Sequence, residues 1–440
     1  MSRALRVLAA ASAAGQRRLE RLELRLDGVL DRTVERRARR LVEAVRRGGD
    51  AALRAAVAEH DGWTPDAGDL RLAPLPEDAG WANLPAGFAA ALDAAIAAVE
   101  AYARRQKPAG FTIEIAGVAL GERVTPLARV GLYVPGGRAS YPSTAVMTAV
   151  PARVAGVAEI VVATPPRTYL EQPTLRYTLE RLGVDEIQGM GGAHAVAALA
   201  YGTESIRRVD LIAGPGNAWV TAAKRAVLGA VAIDGLMGPS EVVIVATEGA
   251  DPERLAADLL AQAEHDPLAA ALLLTPSRGL ARATADAVER QLAALATATT
   301  ARASLAAFGG ALVVADLAEA IALAERLAPE HVQLVGVDAE GAARSITRAG
   351  ALFVGTATPE VFGDYLAGPS HVLPTCGTAR FASALGVETF VRRSHRIEVR
   401  DSRAARRMAG HAEVFARVEG LPAHAASAAL RARNGEEPER

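Results

Sequence analysis

Between Val130 and Val354 the chain repeats one pattern, a short apolar run ending in a turn and then a longer segment whose apolar residues have helical spacing. VGLYVPGG, EIVVATPP, DEIQGMGG, VDLIAGPG and VAIDG carry the runs to Gly235, and a second series from Glu241 follows with EVVIVATE, ALLLTP, ALVVAD, HVQLVG and ALFVG. Short apolar strands separated by helices can pair only in parallel, because a parallel neighbour needs a long crossover. The chain therefore reads as α/β, with two doubly wound Rossmann-like parallel-sheet domains, a helical N-terminal arm and a small C-terminal helical segment. The expected boundaries are 1–26 for the arm, 27–132 with 240–385 for the first α/β domain, 133–239 for the second, and 386–440 for the C-terminal segment. Two α/β layers in one chain leave a cleft, the usual seat of a cofactor and a substrate.

Composition limits what such a fold can serve. The 440 residues are 50% hydrophobic, enough for two real cores. A formal charge of −1 removes any general pull toward nucleic acid or an anionic membrane, and basic runs such as RRARR read as a solvated helix face. The single cysteine, Cys376, cannot form an intrachain disulfide, so nothing demands an oxidising compartment and a cytoplasmic protein is expected. MSRALRVLAAASAAG resembles a secretory leader in outline, but Arg6 interrupts its apolar run and Arg17, Arg18 and Arg21 follow on a helical pattern. We read a helical arm there. No segment has the run of about eighteen apolar residues that a membrane span needs. The charged NGEEPER end reads as disordered.

Several side chains could carry chemistry. In LAPEHVQL, Pro329 stops a helix pattern just before Glu330 and His331, so a carboxylate and an imidazole stand at the mouth of a strand. Such a pair suits a reaction with several proton transfers; taken alone, it reads more readily as two surface residues. Glycine turns at Val134 to Gly137, Met190 to His194 and Ala213 to Asn217 each lead into a helix whose first amides can face an anion. None is the G-x-G-x-x-G fingerprint, and each can equally be a tight βα turn; three together tilt the balance toward a nucleotide. Asp251 and Pro252 open a helix that ends in AQAEHDP, with Gln262 and His265 on one face. With Asp364 and His424 they form a donor set suited to an open, substrate-coordinating Zn²⁺, although a histidine at a helix end more often complements the dipole.

Eleven segments then share their order and spacing with one enzyme family. VGLYVPGG, SYPS, PARVAGV, GGAHAVAALAYGT, GPGNAWVTAAKR, IDGLMGPSEV, AADLLAQAEHDP, LAPEHVQL, GDYLAGPSHVLPT, GTARFASALGV and EGLPAH resemble histidinol dehydrogenases, from about Gly48 to His424. The resemblance implies oxidation of L-histidinol to L-histidine through bound L-histidinal, with two NAD⁺ and one Zn²⁺ per subunit, in the last steps of histidine biosynthesis. It makes Glu330 and His331 the acid/base pair, and Gln262, His265, Asp364 and His424 the zinc ligands. Those six, with Ser240, His371 and Glu419, would meet the substrate. Tyr133 and Asn217 would meet the cofactor, as would His194, which stands where the family usually has glutamine. The resemblance also implies a homodimer in which the C-terminal segment completes the neighbour's site.

The chain departs from the family pattern at His194, at Met237 in place of a small residue, and at Thr148 where asparagine is common. These changes bear on cofactor affinity, not on the reaction. The alternative is a sister zinc- and NAD-dependent dehydrogenase of another small polyol or a sulfonated diol, which need not keep His371, Glu419 and FASALGVETF.

Overall fold

The computed structural model describes residues 3–25, 31–65, 69–73, 81, 84–136 and 141–433. The NGEEPER end, Gly137 and most of the PLPEDAGW break lie outside them. The strands run β1 (Val7–Ala9), β2 (Phe111–Ile115), β3 (Val118–Pro126), β4 (Arg129–Tyr133), β5 (Glu159–Thr164), β6 (Glu186–Gly189), β7 (Leu211–Ala213) and β8 (Ala232–Ile233). After these come β9 (Glu241–Ala246), β10 (Ala270–Thr275), β11 (Gly310–Val313), β12 (His331–Val335), β13 (Ala351–Val354) and β14 (Val391–Val399).

Contacts divide the chain into two units, one of Met1–Gln106 with Leu127–Phe390 and one of Lys107–Pro126 with Val391–Arg440. The first holds two parallel sheets. One has the order β6-β5-β4-β7-β8, so its direction of winding reverses between β4 and β7. The other has the order β1-β11-β10-β9-β12-β13 and reverses between β9 and β12. Apart from β1 at the edge of the larger one, each doubly wound sheet starts near its centre and is wound outward on both sides, as the alternating apolar runs require. Every residue of β9, β10 and β12 is buried, including the polar ones, because helices cover both faces of the central strands.

The N-terminal arm is not wholly helical. Val7–Ala9 extends and pairs in parallel with β11, closing the edge of the larger sheet, before Ser12 caps the helix Ala13–Glu23. A three-residue strand leaves no periodicity to read, and its partner lies some three hundred residues on; tertiary pairing overrides local propensity there.

The second unit departs further from expectation. Residues 107–126, expected with the first α/β domain, form β2 and β3, and β14 adds to β3 in antiparallel register from Val391↔Pro126 to Val399↔Val118. The expected helical C-terminal segment therefore begins with a nine-residue strand. Both outer strands are largely exposed; FTIEI alternates apolar and polar residues but is short, and β14 mixes charge without a regular period, which hides its strand signal. The helices Ser402–Val418 and Pro422–Arg433 pack as a hairpin behind the turn at Gly420, whose φ of 72° suits glycine.

Candidate active site

The helix Leu317–Leu327 ends on Ala328, which is left-handed (φ 44°, ψ 59°) and returns its N–H to Ala324. Pro329 cannot continue a helix, and β12 starts two residues later. Glu330 and His331 consequently lie at the N-terminal edge of the central strand pair, the end opposite the one where doubly wound sheets usually bind ligands. Gly350 is required beside them, since a Cβ there would stand 2.6 Å from the Glu330 carbonyl oxygen.

Both residues of the pair are 5% exposed. The Glu330 carboxylate accepts the main-chain N–H of Glu241 at 3.0 Å, and the Ser240 hydroxyl also bonds it. His331 Nδ1 lies 3.0 Å from the main-chain carbonyl of Glu241. A carbonyl can only accept, so Nδ1 carries the proton and Nε2 keeps its lone pair. Burial pushes the Glu330 carboxyl well above its usual range, with Glu241 and Asp364 adding to the effect against the Glu241 N–H. Burial also lowers the His331 imidazole, against the pull of Asp364. The two proton affinities move toward each other, the condition in which one group gives and the other takes.

Helix Pro252–Ala263, capped by Asp251, turns Asp258, Gln262 and, just past its end, His265 toward the same side. Gln262 is 1% exposed and its Oε1 has no hydrogen-bond partner. The short helix Glu360–Tyr365 packs on this helix and carries Glu360 and Asp364. The Asp364 carboxylate acts electrostatically on Glu330, His331, Glu360 and His371, and its main-chain carbonyl accepts from His371 Nδ1 at 2.9 Å. His265 is exposed and near enough to both His331 and His371 to disfavour a positive charge on either. Ser240, His265, Glu330, His331, Asp364 and His371 are thus gathered at one place, with Gln262 on the adjoining helix face.

Three neighbours were not anticipated. Glu360 is 2% exposed, its Oε2 lies 4.0 Å from His331 Nδ1 without a hydrogen bond, and burial raises its carboxyl well above the usual range. Gln333 donates to Asp258 at 2.8 Å, and burial raises the Asp258 carboxyl. The signal for Glu360 was available, since it stands one turn before Asp364. That for Asp258 was too, one turn before Gln262.

Around the other switch point, Tyr133 ends β4 and Asn217 caps the helix Ala218–Val227 through the N–H groups of Trp219 and Val220. Asn217 is exposed, but Tyr133 is 3% exposed, its hydroxyl accepts the Gly192 N–H, and burial raises its phenol to about 12. His194 is 1% exposed, and its Nε2 meets Asp61 at 2.8 Å while the same carboxylate takes the Gly191 N–H. His194 therefore braces the glycine turn from inside. Thr148 is buried as well, returning its hydroxyl to the Thr144 carbonyl, and the Met237 carbonyl accepts from Thr221. Thr144 links the two regions, its hydroxyl 3.4 Å from His371 Nε2 on the helix that follows β4.

Glu419 and His424 belong to the second unit, both exposed, on either side of the Gly420 turn. Among the described residues, no group of three or more His, Cys, Asp and Glu side chains is placed to hold a metal ion. Of the expected ligands in the first unit only His265 and Asp364 are of those types.

The histidinol dehydrogenase family model matches residues 27–432. The chain belongs to the histidinol dehydrogenase family. The resemblance read from its motifs holds along nearly the whole length, and membership makes it an oxidoreductase. A histidinol dehydrogenase from Moorella thermoacetica is 49% identical over 402 residues, covering 90% of this chain and 94% of its own. One from Synechococcus is 46% identical over 422 residues, covering 94% and 97%. The crystal structure of histidinol dehydrogenase from Elizabethkingia anophelis superposes with a TM-score of 0.86 at 30% identity, covering 98% of both chains. No described helix is long and apolar enough to cross a membrane.

Proposed function

We propose that this chain oxidises L-histidinol to L-histidine through L-histidinal, a four-electron change that uses two NAD⁺ and one Zn²⁺ per subunit. The observation that carries the reading is the buried Glu330–His331 pair, with its fixed tautomer and opposed shifts in proton affinity, facing Asp364, His371 and His265. His331 Nε2 takes the hydroxyl proton of histidinol as the adjacent carbon loses hydride. Glu330 then polarises the water that hydrates the aldehyde, and His331 takes a proton again in the second oxidation. NAD⁺ would supply the hydride acceptor, with Tyr133 and Asn217 at the other switch point as the residues that would meet it.

The residues fit zinc in part. Gln262 offers a buried oxygen with no partner, His265 an exposed imidazole and Asp364 a half-buried carboxylate, a mixed donor set that leaves a position open. His424 of a second copy would be the fourth ligand, with Glu419 beside it. Support for that copy lies on the second unit itself, where Phe415 and Val418 near Glu419 are 70% and 82% exposed, an apolar face that calls for a partner. Bound Zn²⁺ would grip the imidazole and amine of the substrate and polarise its oxygen.

The test is NADH formation by purified protein with L-histidinol and with other small alcohols, before and after chelation. Activity should be greatest on histidinol, vanish with the metal and return with Zn²⁺, and His265→Asn should lose metal and activity together. Turnover confined to another polyol or a sulfonated diol would replace the substrate reading. Full activity in protein shown metal-free by elemental analysis would end the zinc reading.

A further inference from the structure

Glu330 and His331 are held by the backbone of one residue. Glu241, the first residue of β9, donates its main-chain N–H to the Glu330 carboxylate and accepts His331 Nδ1–H on its carbonyl, both at 3.0 Å. The Glu241 side chain is itself buried, at 8% exposure. One carboxylate oxygen lies 3.6 Å from Nη1 of Arg25, and the other accepts the N–H of Cys376. Arg25 is 4% exposed and also donates to the carbonyls of Pro239 and Leu268, so it ties together the segments entering β9 and β10.

The backbone around this knot is strained. Ala116, Ala328 and Cys376 are the described non-glycine residues with positive φ, and the last two flank it. Cys376, at φ 53°, turns its amide onto Glu241; Ala328, at φ 44°, sets the entry to Glu330. Such a conformation is unfavourable for a residue with a Cβ and persists only where the surroundings over-determine it. The ion pair itself is a poor source of stability, since desolvating two charges offsets most of their attraction. Geometry accounts for both features better than stability does.

We propose that Arg25 and Glu241 are positioning residues of the reaction, a buried pair that clamps the acid and the base to one stretch of backbone. The inference rests on the acid/base reading of Glu330 and His331. Arg25 precedes the residues matched by the family model, so the N-terminal arm takes part in the active site although it touches no reactant.

The variants are Arg25→Met, Arg25→Lys and Glu241→Gln in the full-length enzyme, each checked for native circular dichroism. A misplacement of about an ångström costs on the order of a hundredfold in turnover. Arg25→Met and Glu241→Gln should lower kcat about ten- to a hundredfold. KM for histidinol should stay within about threefold, because ground-state binding is left in place. Arg25→Lys should recover part of the loss, a response that a spacer role would not give. If Arg25→Met does not fold, the other two variants carry the comparison. Folded variants with kcat within twofold of the parent, or a loss that lies wholly in KM, would overturn the proposal. His331→Asn separates the two ideas: normal turnover there removes the acid/base reading, whereas a dead His331→Asn beside a normal Glu241→Gln removes only the positioning role.

Discussion

Replacing His331 with asparagine tests the mechanism most directly. The imidazole spends Nδ1–H on the Glu241 carbonyl, so Nε2 is the one basic site it can offer. An asparagine amide can still donate to that carbonyl but has no basic lone pair. Loss of a general base costs about two to four orders of magnitude in kcat. At about 1.4 kcal/mol per factor of ten, that is about 3–6 kcal/mol of transition-state stabilisation. The fold should tolerate the change. The lost ring leaves a gap beside Phe353, whose centroid lies 5.8 Å away, at a cost on the order of 1–3 kcal/mol against a typical stability of about 5–15. The assay is steady-state NADH formation alongside calorimetric titration of histidinol. Turnover should collapse while histidinol still binds; a folded His331→Asn enzyme within tenfold of normal turnover would refute the assignment.

Glu360 should reveal itself through stability. Burial first, then Asp364, Asp258 and Glu330, raise its folded pKa above the ordinary value of 4.5, so its contribution is fully present below that value and is lost as pH rises through the folded one. His331 and His371, lowered mainly by burial, act oppositely, holding stability above 6.5 and losing it as pH falls through their folded values. Their effects cancel when Glu360→Gln is compared with the parent. In metal-free protein the urea midpoint of Glu360→Gln should gain on the parent's as pH rises above 4.5, and parallel profiles would exclude a buried ionisation at this site. For the dimer, co-expressing Glu330→Gln and His424→Ala chains should restore about a quarter of normal activity, because half of randomly paired dimers then hold one intact site. Activity no greater than the parents', with mixed dimers confirmed by tagging, would place His424 in its own chain's site.

The alternation of apolar runs and helical segments was enough to read both doubly wound sheets, because strand length, flanking glycine and helical period are local signals that burial amplifies. Pro329 marked the mouth of β12, and the spacing of Gln262 and His265 marked one helix face. Sequence could not show how Glu330 and His331 would be held. Their partner, Glu241, is about ninety residues away in the chain and meets them only because β9 and β12 are neighbours across a switch point. Cys376, 135 residues after Glu241, reaches it from a left-handed backbone position of its own, one residue before Gly377.

His194 shows the same division. Its position in a glycine turn was legible, and so was its departure from the family's glutamine. Its burial against Asp61 was not, because Asp61 lies 133 residues earlier in the chain. The antiparallel strands β2, β3 and β14 were missed: FTIEI does alternate apolar and polar residues but is only five residues long, while β3 and β14 mix charged and apolar residues without a regular period. The sequence by itself determined the fold class, the family and the reactive residue types, which follow from local periodicity and ordered motifs. Tertiary structure decided which side chains are buried, which backbone groups they meet and so which way their proton affinities move, since desolvation and hydrogen bonding depend on neighbours that only the folded chain brings together.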